Sequence, residues 1–496
     1  MPYLSKSKLI AFKQCPKRLW LEVKKPSLKD DSGSEAAFRR GHEVGGLAQR
    51  VFDPDGKGTL IDVNELGWIK VYDETARLLK LGDGPIFEAA LKIEGAMAFA
   101  DIMLPDWSSG ELQWQMIEVK SSTGVKDYHR NDLAAQVYIA RQLSVPISFA
   151  GVACIDTNFV YPGNGGYEGL FAVEDLTEET FEREFEVREW IAEAQRTASE
   201  KGEPDIDMGP HCSSPFVCGF WNYCSQDLFQ PEHHVSILPR LTSKRSEAWE
   251  DIGIVELRDT PDDELNPLQL RVKNATLSGE TYFDAKGASE YLSHPEGKSA
   301  YFLDFETVNM AIPTWAGTRP YEQVPFQFSL HEVTSNNELR HKGFLDVNGK
   351  DPRPEFVDAL IAGCGRTGPI YVYNASFEKR VIRNLAEVCP NSSDALNTLL
   401  PRVVDLLPIV RNTYYHPSQR GSWSLKAVLP TICPELAYDD LEGIQHGGAA
   451  SEAFTEALKP ETSQARRKII DRQLREYCKM DTLATVKLFE FLKDSS

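Results

Sequence analysis

The sequence predicts a mixed α/β protein of more than one domain, and three observations carry that prediction. Short β-leaning runs are interleaved with helical ones, as in MAFADIML and WQMIEVKSS followed by HRNDLAAQVYIARQL, and again in YFLDFET and PIYVYNASFEKRVIRNL. The 496 residues suffice for two to four domains at about 150 residues each. Hydrophobic residues at 42% and charged residues at 26% suit a chain that buries full cores rather than a disordered or fibrous one.

The first element, MPYLSKSKLIAFKQCPKRLW, opens a basic stretch. Residues 1–29 hold eight Lys or Arg against one acid, Glu22. Its apolar patch, Leu9 to Phe12, is too short for a secretory signal, and no run approaches the ~18 apolar residues of a membrane span. A cytoplasmic protein without membrane attachment is expected. The net charge of −20 argues against a general nucleic-acid coat. It leaves room for an enzyme with acidic metal sites and local basic tracks, of which Arg466, Arg467, Lys468, Arg472, Arg475 and Lys479 form a second. Solvated helix faces explain either run alone equally well.

FRRGHEVGGLAQRVF reads as a helix carrying His42, and MAFADIML as a strand carrying Asp101. In WQMIEVKSS, residues two apart share a face, so Glu118 and Lys120 project together and Val119 faces away. A carboxylate beside a lysine can hold a divalent cation and orient an attacking water. Taken alone, such a pair is usually an ordinary surface feature. The helix that follows bears Gln136 and Tyr138. Glu88, in IFEAAL, is either an acidic neighbour or, more simply, a solvated or structural residue.

Nine cysteines, an odd number over a long chain, argue against a disulfide framework in a reducing compartment and for metal binding. Cys212, Cys218 and Cys224 are evenly spaced, and the only early cysteine is Cys15. Residues 1–231 therefore read as one unit, closed by the cysteines and the break QPEHH. Residues 232–294 read as a small helical connector, with two short helices around Gly253 that are faintly like a helix–hairpin–helix; a plain helical linker is the simpler reading. Residues 295–496 form the last unit. GKS at 297–299 is no phosphate loop, because Leu292 stands where that motif needs a glycine five residues before Gly297.

In YFLDFET, Asp304 and Glu306 share one strand face, where two carboxylates repel unless a cation lies between them. A strand–turn–helix follows, with Asn374, Phe377 and Glu378 at the junction. Tyr477 and Asp481 lie four apart on one face of a late helix. Asp405, in RVVDLLPIV, is a further acid for which capping is the better explanation.

His42, Asp101, Glu118-x-Lys120 and a Gln-bearing helix, in that order, resemble the PD-(D/E)XK nucleases of the RecB type. With the cysteines added, the stretch resembles the AddB-like nucleases and the CRISPR-associated RecB-like exonucleases. That resemblance implies a restriction-endonuclease-like fold and a [4Fe–4S] cluster on Cys15, Cys212, Cys218 and Cys224, with structural zinc on the four thiolates as the alternative. Such a cluster would staple a loop of roughly two hundred residues. The resemblance also implies that His42, Asp101, Glu118 and the Val119 carbonyl bind Mg²⁺ or Mn²⁺. Lys120 would act on the water, and Gln136 would orient the site or touch DNA.

The last unit resembles the DEDDy group of DnaQ-like 3′→5′ exonucleases, which implies an RNase H-like fold. Asp304, Glu306, Glu378 and Asp481 would be the metal-binding set, and Tyr477 would orient the attacking water. Glu378 stands where that family carries Asp, one methylene longer. Together the two units resemble a bacterial family that fuses these domains.

The expectation is a two-site, metal-dependent nuclease, an exodeoxyribonuclease acting on single strands or ends in DNA repair or defence. Its partner would be nucleic acid, DNA ahead of RNA, with room for a separate helicase. The alternatives are an RNA-processing exonuclease and a nucleic-acid-binding scaffold with one or both sites inactive.

Overall fold

Alternating burial along AMAFADIMLPD gives that run one face for the core, and in the computed structural model it is the central β4 (Ala96–Asp106) of a seven-stranded sheet. Residues 3–31, 35–226, 228, 231–292, 298–436 and 441–494 are described. The chain divides into two compact units, Met1–Leu228 with Met310–Tyr321, and Phe229–Asn309 with Glu322–Ser496.

In the first unit, β2 (Thr59–Leu60), β3 (Ile86–Ile93), β4, β5 (Gln113–Lys120), β6 (Ile147–Ile155) and β7 (Phe171–Asp175) lie side by side in that order. β3, β4 and β5 are successive antiparallel neighbours, and β5 and β6 are parallel. Parallel neighbours need a crossover, which here is the helix α5 (Asp127–Gln142). Its small residues Ala134, Ala135 and Ala140 are buried in one core with Ala98, Ala100 and Met116 of the sheet. A short strand, β1 (Leu4–Ser5), pairs in parallel with β4 through Leu4 opposite Ala96 and Ser5 opposite Met97. Two helices follow it, α1 (Lys6–Gln14) and α2 (Pro16–Lys24), and then α3 (Glu35–Phe52), α4 (Val63–Leu81) completing the early helices.

In the second unit, β8 (Tyr282–Phe283) pairs with β14 (Tyr414–Tyr415). The main sheet contains β9 (Ala300–Val308), β10 (Val324–Val333), β11 (Leu339–Leu345), β12 (Ile370–Val372) and β13 (Val403–Asp405), in the order β11-β10-β9-β12-β13. β10 is antiparallel to both its neighbours, whereas β12 is parallel to β9 and to β13. Both faces of β9 are buried, Phe302 in one apolar cluster and Leu303 and Phe305 in another, which accounts for its near-continuous apolar reading. Three helices matter for the chemistry: α6 (Ala375–Val388), α7 (Leu425–Ile432) and α8 (Gln464–Asp494).

The stretch 232–294, expected as a connector, clusters with the second unit. Its helices Ser243–Glu250 and Pro267–Ser278 stand on either side of Gly253, whose φ of +80° follows the end of the first. Val235, Leu238, Trp249, Leu257 and Val272 are buried in one core with Phe302 and Tyr415. These apolar residues, spaced among polar turns, draw the stretch into that core. The expected boundary at 294/295 and Gly297 lie outside the described residues. Among the described residues, no helix is long and apolar enough to cross a membrane.

Candidate active sites

The first site lies where β4 and β5 run side by side. Ile102 pairs with Ile117, so Asp101 and Glu118 come next in that register, and the Val119 amide donates to Oδ2 of Asp101 at 2.8 Å. Lys120 Nζ lies 2.5 Å from Glu118 Oε1 and 2.7 Å from Asp132 Oδ2. Gln136, one helical turn beyond Asp132 on α5, donates to Glu118 Oε2 at 2.7 Å and to Asp132 Oδ1 at 3.2 Å. Its own Oε1 is buried without a hydrogen-bond partner. Strand and helix therefore bring Asp101, Glu118, Lys120 and Gln136 together.

Lys6, at the start of α1, donates to both oxygens of Glu118, at 3.0 and 3.1 Å, and lies 3.6 Å from Asp101 Oδ1. His42 is exposed on α3; it is close enough to Glu88 for their charges to interact, and it makes no hydrogen bond to Asp101 or Glu118. Glu88 adopts φ +54° within β3, in register opposite Asp101, and backbone strain of this kind in a non-glycine residue concentrates at functional sites.

The charges explain the electrostatics. Burial pushes Asp101 up to about 7, with Glu118 adding to the rise and Lys6 and Lys120 opposing it. Burial acts in the same direction on Glu118, but there Lys120 and Lys6 outweigh it and hold the carboxyl well below its usual range. Burial, then Glu118, raises Asp132, and burial raises Glu88. The set holds four carboxyl groups against two ammonium groups, and burial raises three of the four. Oxygen-rich carboxylates at this density fit a hard divalent cation.

The four predicted cysteines converge. Cys15 sits in extended conformation between α1 and α2, and Pro16 starts the second helix. Gln14 donates to the carbonyls of His211 and Phe216, at 2.8 and 2.7 Å, and so ties the later loop to α1. The Cys218 amide donates to the Cys212 carbonyl at 2.8 Å, and the short helix Trp221–Ser225 carries Cys224. Cys15, Cys212, Cys218 and Cys224 line one small cavity together with Lys17 and Arg18. Burial raises the Cys218 and Cys224 thiols. Four converging thiols beside two cationic side chains fit a group that binds thiolates.

The second site is built on β9 and closed by α8. Gln327 of β10 donates to the Leu474 carbonyl at 2.8 Å, and Thr482 hydrogen-bonds Ser329 at 2.7 Å and His331 at 2.8 Å. These buried bonds fix the register of the long helix against the sheet and direct Tyr477, Cys478 and Asp481 toward β9. Ligand atoms of Asp304, Glu306 and Cys478 lie within 4.8 Å of one another, with Cys478 Sγ 3.9 Å from Asp304 Oδ2. Glu378 enters from the first turn of α6. Asp405 positions that turn: its carboxylate accepts from the Asn374, Ala375 and Leu407 amides, each at 3.0 Å, which is a capping role.

Glu378 is 2% exposed, and its Oε2 has no hydrogen-bond partner. Burial pushes it up to about 8, and burial with the nearby Asp481 does the same to Glu306. Asp304 is held well above its usual range by burial, then by Asp481, Glu306 and Glu378. Burial, then Asp481, Glu306 and Asp304, push the Tyr477 phenol up. Lys426, on α7, reaches within 3.4 Å of the Tyr477 hydroxyl. A cleft of about 310 Å³ opens beside Glu306, lined by Phe305, Thr307, Gln323, Phe377 and Gly447 among others. Packed acids that repel one another, one with an orphaned buried oxygen, fit a divalent cation.

Sequence reasoning missed Lys6, Asp132, Cys478 and Lys426. Asp132 was legible, four residues before Gln136 on the same helix face. Cys478, next to Tyr477, reads as core, and Lys6 and Lys426 carry no local signal.

A family model described as a domain of unknown function, DUF2779, matches residues 301–424. The match takes in Asp304, Glu306, Glu378 and Asp405, and ends before Tyr477 and Asp481. No curated protein matches the chain.

Proposed function

We propose that the chain is a metal-dependent nuclease with two active sites that hydrolyse phosphodiester bonds of DNA, exonucleolytically on single strands or ends. One observation carries the reading: Asp304 and Glu306 of β9, Glu378 of α6 and Asp481 of α8 meet from three elements, and beyond burial the other three acids raise the proton affinity of Asp304. Buried carboxylates at that density are costly unless a cation is their working partner. The sheet that carries Asp304 and Glu306, three antiparallel strands continued by two parallel ones, is consistent with an RNase H-like domain. In the first unit, the strand pair with Asp101, Glu118 and Lys120 and the helix with Gln136 support the PD-(D/E)XK reading.

Mg²⁺ or Mn²⁺, when bound, would activate a water and offset charge on the phosphate in flight. At the first site Asp101 and Glu118 would hold it, with Glu88 beside them. Lys120, clamped between Glu118 and Asp132, presents a fixed ammonium to the attacking water. Gln136 holds Glu118 in orientation. At the second site Asp304, Glu306 and Asp481 would be the main ligands and Glu378 a supporting one. Tyr477 has its hydroxyl beside Lys426 and orients the water; burial keeps the phenol protonated, so it serves as a hydrogen-bonding group. Cys15, Cys212, Cys218 and Cys224 would hold a [4Fe–4S] cluster as a structural staple, with zinc as the rival occupant.

Cleavage of 5′- and 3′-labelled DNA, and of matched RNA, in Mg²⁺, Mn²⁺ and chelator tests the reading. DNA shortened only with metal supports it. Preferential RNA cleavage makes the protein an RNA-processing exonuclease, and binding without hydrolysis makes it a scaffold.

A further inference from the structure

The first site holds a second lysine, and backbone topology puts it there. β1 and β5 pair with the same edge of β4, β1 at Ala96 and Met97 and β5 from Ile102 onward. The stretch of β4 between them ends at Asp101. Lys6 follows β1 directly, with Ser5 capping α1, so its side chain projects across that stretch. Its Nζ grips both oxygens of Glu118, at 3.0 and 3.1 Å, and approaches Asp101 at 3.6 Å.

We propose that Lys6 occupies the divalent cation's place in the metal-free protein and transfers to the scissile phosphate once Glu118 and Asp101 engage the cation. The proposal rests on the nuclease reading of this site. Three arguments support it. The first is steric and electrostatic: hard cations sit about 2.1 Å from their oxygens, so an ammonium astride both Glu118 oxygens competes with a cation for the same lone pairs and is repelled by its charge.

The second argument is the asymmetry of the two lysines. Besides Glu118, Lys120 has a second carboxylate partner, Asp132, at 2.7 Å. The close partners of Lys6 are Glu118 and Asp101, the two acids that the cation would claim. Lys6 is therefore released when Lys120 is not. Its long flexible stem lets the ammonium swing a few ångströms while β1 and the Ser5 cap hold its backbone.

The third argument is charge. A bound cation favours the ionised forms of Glu88, Asp101, Glu118 and Asp132, which then set four negative charges against two from Lys6 and Lys120, leaving two. One divalent cation balances them with both lysines still present. A phosphate arriving on that cation brings new negative charge, and Lys6 is the released cation at hand.

The test uses the full chain carrying Asp304→Ala, so that second-site turnover does not obscure the first. Mn²⁺ binding is measured by electron paramagnetic resonance of the free ion, and Glu118→Gln identifies the first-site component. Lys6→Met is expected to bind Mn²⁺ tighter without DNA, by a factor on the order of ten. In saturating Mn²⁺ it should nonetheless cleave more slowly, on the order of 10²-fold. Lys6→Gln gives the same opposed signs if Lys6→Met does not fold, and Lys6→Arg should gain no Mn²⁺ affinity. Unchanged or weaker Mn²⁺ binding in both neutral variants overturns the proposal while leaving the nuclease reading intact. Absence of any Mn²⁺ component sensitive to Glu118→Gln overturns the reading itself, and the proposal with it.

Discussion

Lys120 on β5 and Asp132 on α5 form an ion pair at 2.7 Å, and the same ammonium lies 2.5 Å from Glu118. Lys120 thereby has two carboxylate partners, and Glu118 is also engaged by Lys6 and Gln136. Burial opposes the charge on Lys120, but Glu118 and Asp132 outweigh it and raise its pKa. The lysine is therefore a permanent cation, suited to positioning water rather than to taking a proton.

Lys120→Ala should abolish first-site cleavage, by the 10²–10⁴-fold typical of a positioned proton-transfer or water-orienting group, while DNA binding stays within a few-fold of wild type. Asp132→Asn should cost less, because Glu118 still holds the ammonium. Single-turnover cleavage and filter binding in an Asp304→Ala background check both. Equal cleavage by Lys120→Ala and its parent would remove the first unit from the chemistry.

Tyr477→Phe should slow the second site less than Asp304→Ala does. The first change deletes a hydroxyl beside Lys426; the second removes an acid whose charge is coupled to Asp481, Glu306 and Glu378. Initial rates of 3′-end trimming under excess Mn²⁺ rank the two. A reversed order would place Tyr477, not the acids, at the centre of that site.

The second unit should lose stability in chelator as pH rises from about 5 to about 8. Glu306 and Glu378 sit near 8 in the folded state against 4.5 ordinarily, so the folded state holds more protons across that window. Stability favours the side on which those protons stay bound and is lost as pH passes through it. Mn²⁺ should raise the unfolding temperature more at about pH 8 than at about pH 5, and Glu306→Gln should shrink that difference. Thermal scans of the full chain at both pH values measure it; a flat pH response with no Mn²⁺ effect would contradict the packed-acid description.

Protein purified without oxygen should be brown, with broad absorbance near ~400 nm and about four irons per chain, and Cys15→Ser should lose the colour and unfold at lower temperature. Metal analysis decides the occupant. Stoichiometric zinc without iron would replace the cluster by a single zinc on the same thiols.

The residues legible in the sequence are those whose neighbours lie on the same element. The period of two put Glu118 beside Lys120 and Asp304 beside Glu306, and β5 and β9 form as that pattern implies. The helical period paired Tyr477 with Asp481, and it would have paired Asp132 with Gln136. Lys6 was illegible because its contact with Glu118 spans 112 residues and depends on a two-residue strand. Cys478 was hidden in a different way: a fully buried thiol on an amphipathic helix looks like core until β9 is placed against it. The stretch 232–294 reads as polar turns, and only the tertiary fold reveals that Trp249 and Leu257 belong to the second unit's core.

The most direct test of the two-site account is a cleavage ladder from 5′-labelled single-stranded DNA. It compares wild type, Lys120→Ala, Asp304→Ala and the double variant, in Mn²⁺ and in chelator. The account predicts metal-dependent shortening by wild type, a different residual pattern from each single variant, and none from the double variant. A ladder that survives in the double variant, or that survives Asp304→Ala and vanishes with Lys120→Ala alone, would contradict it.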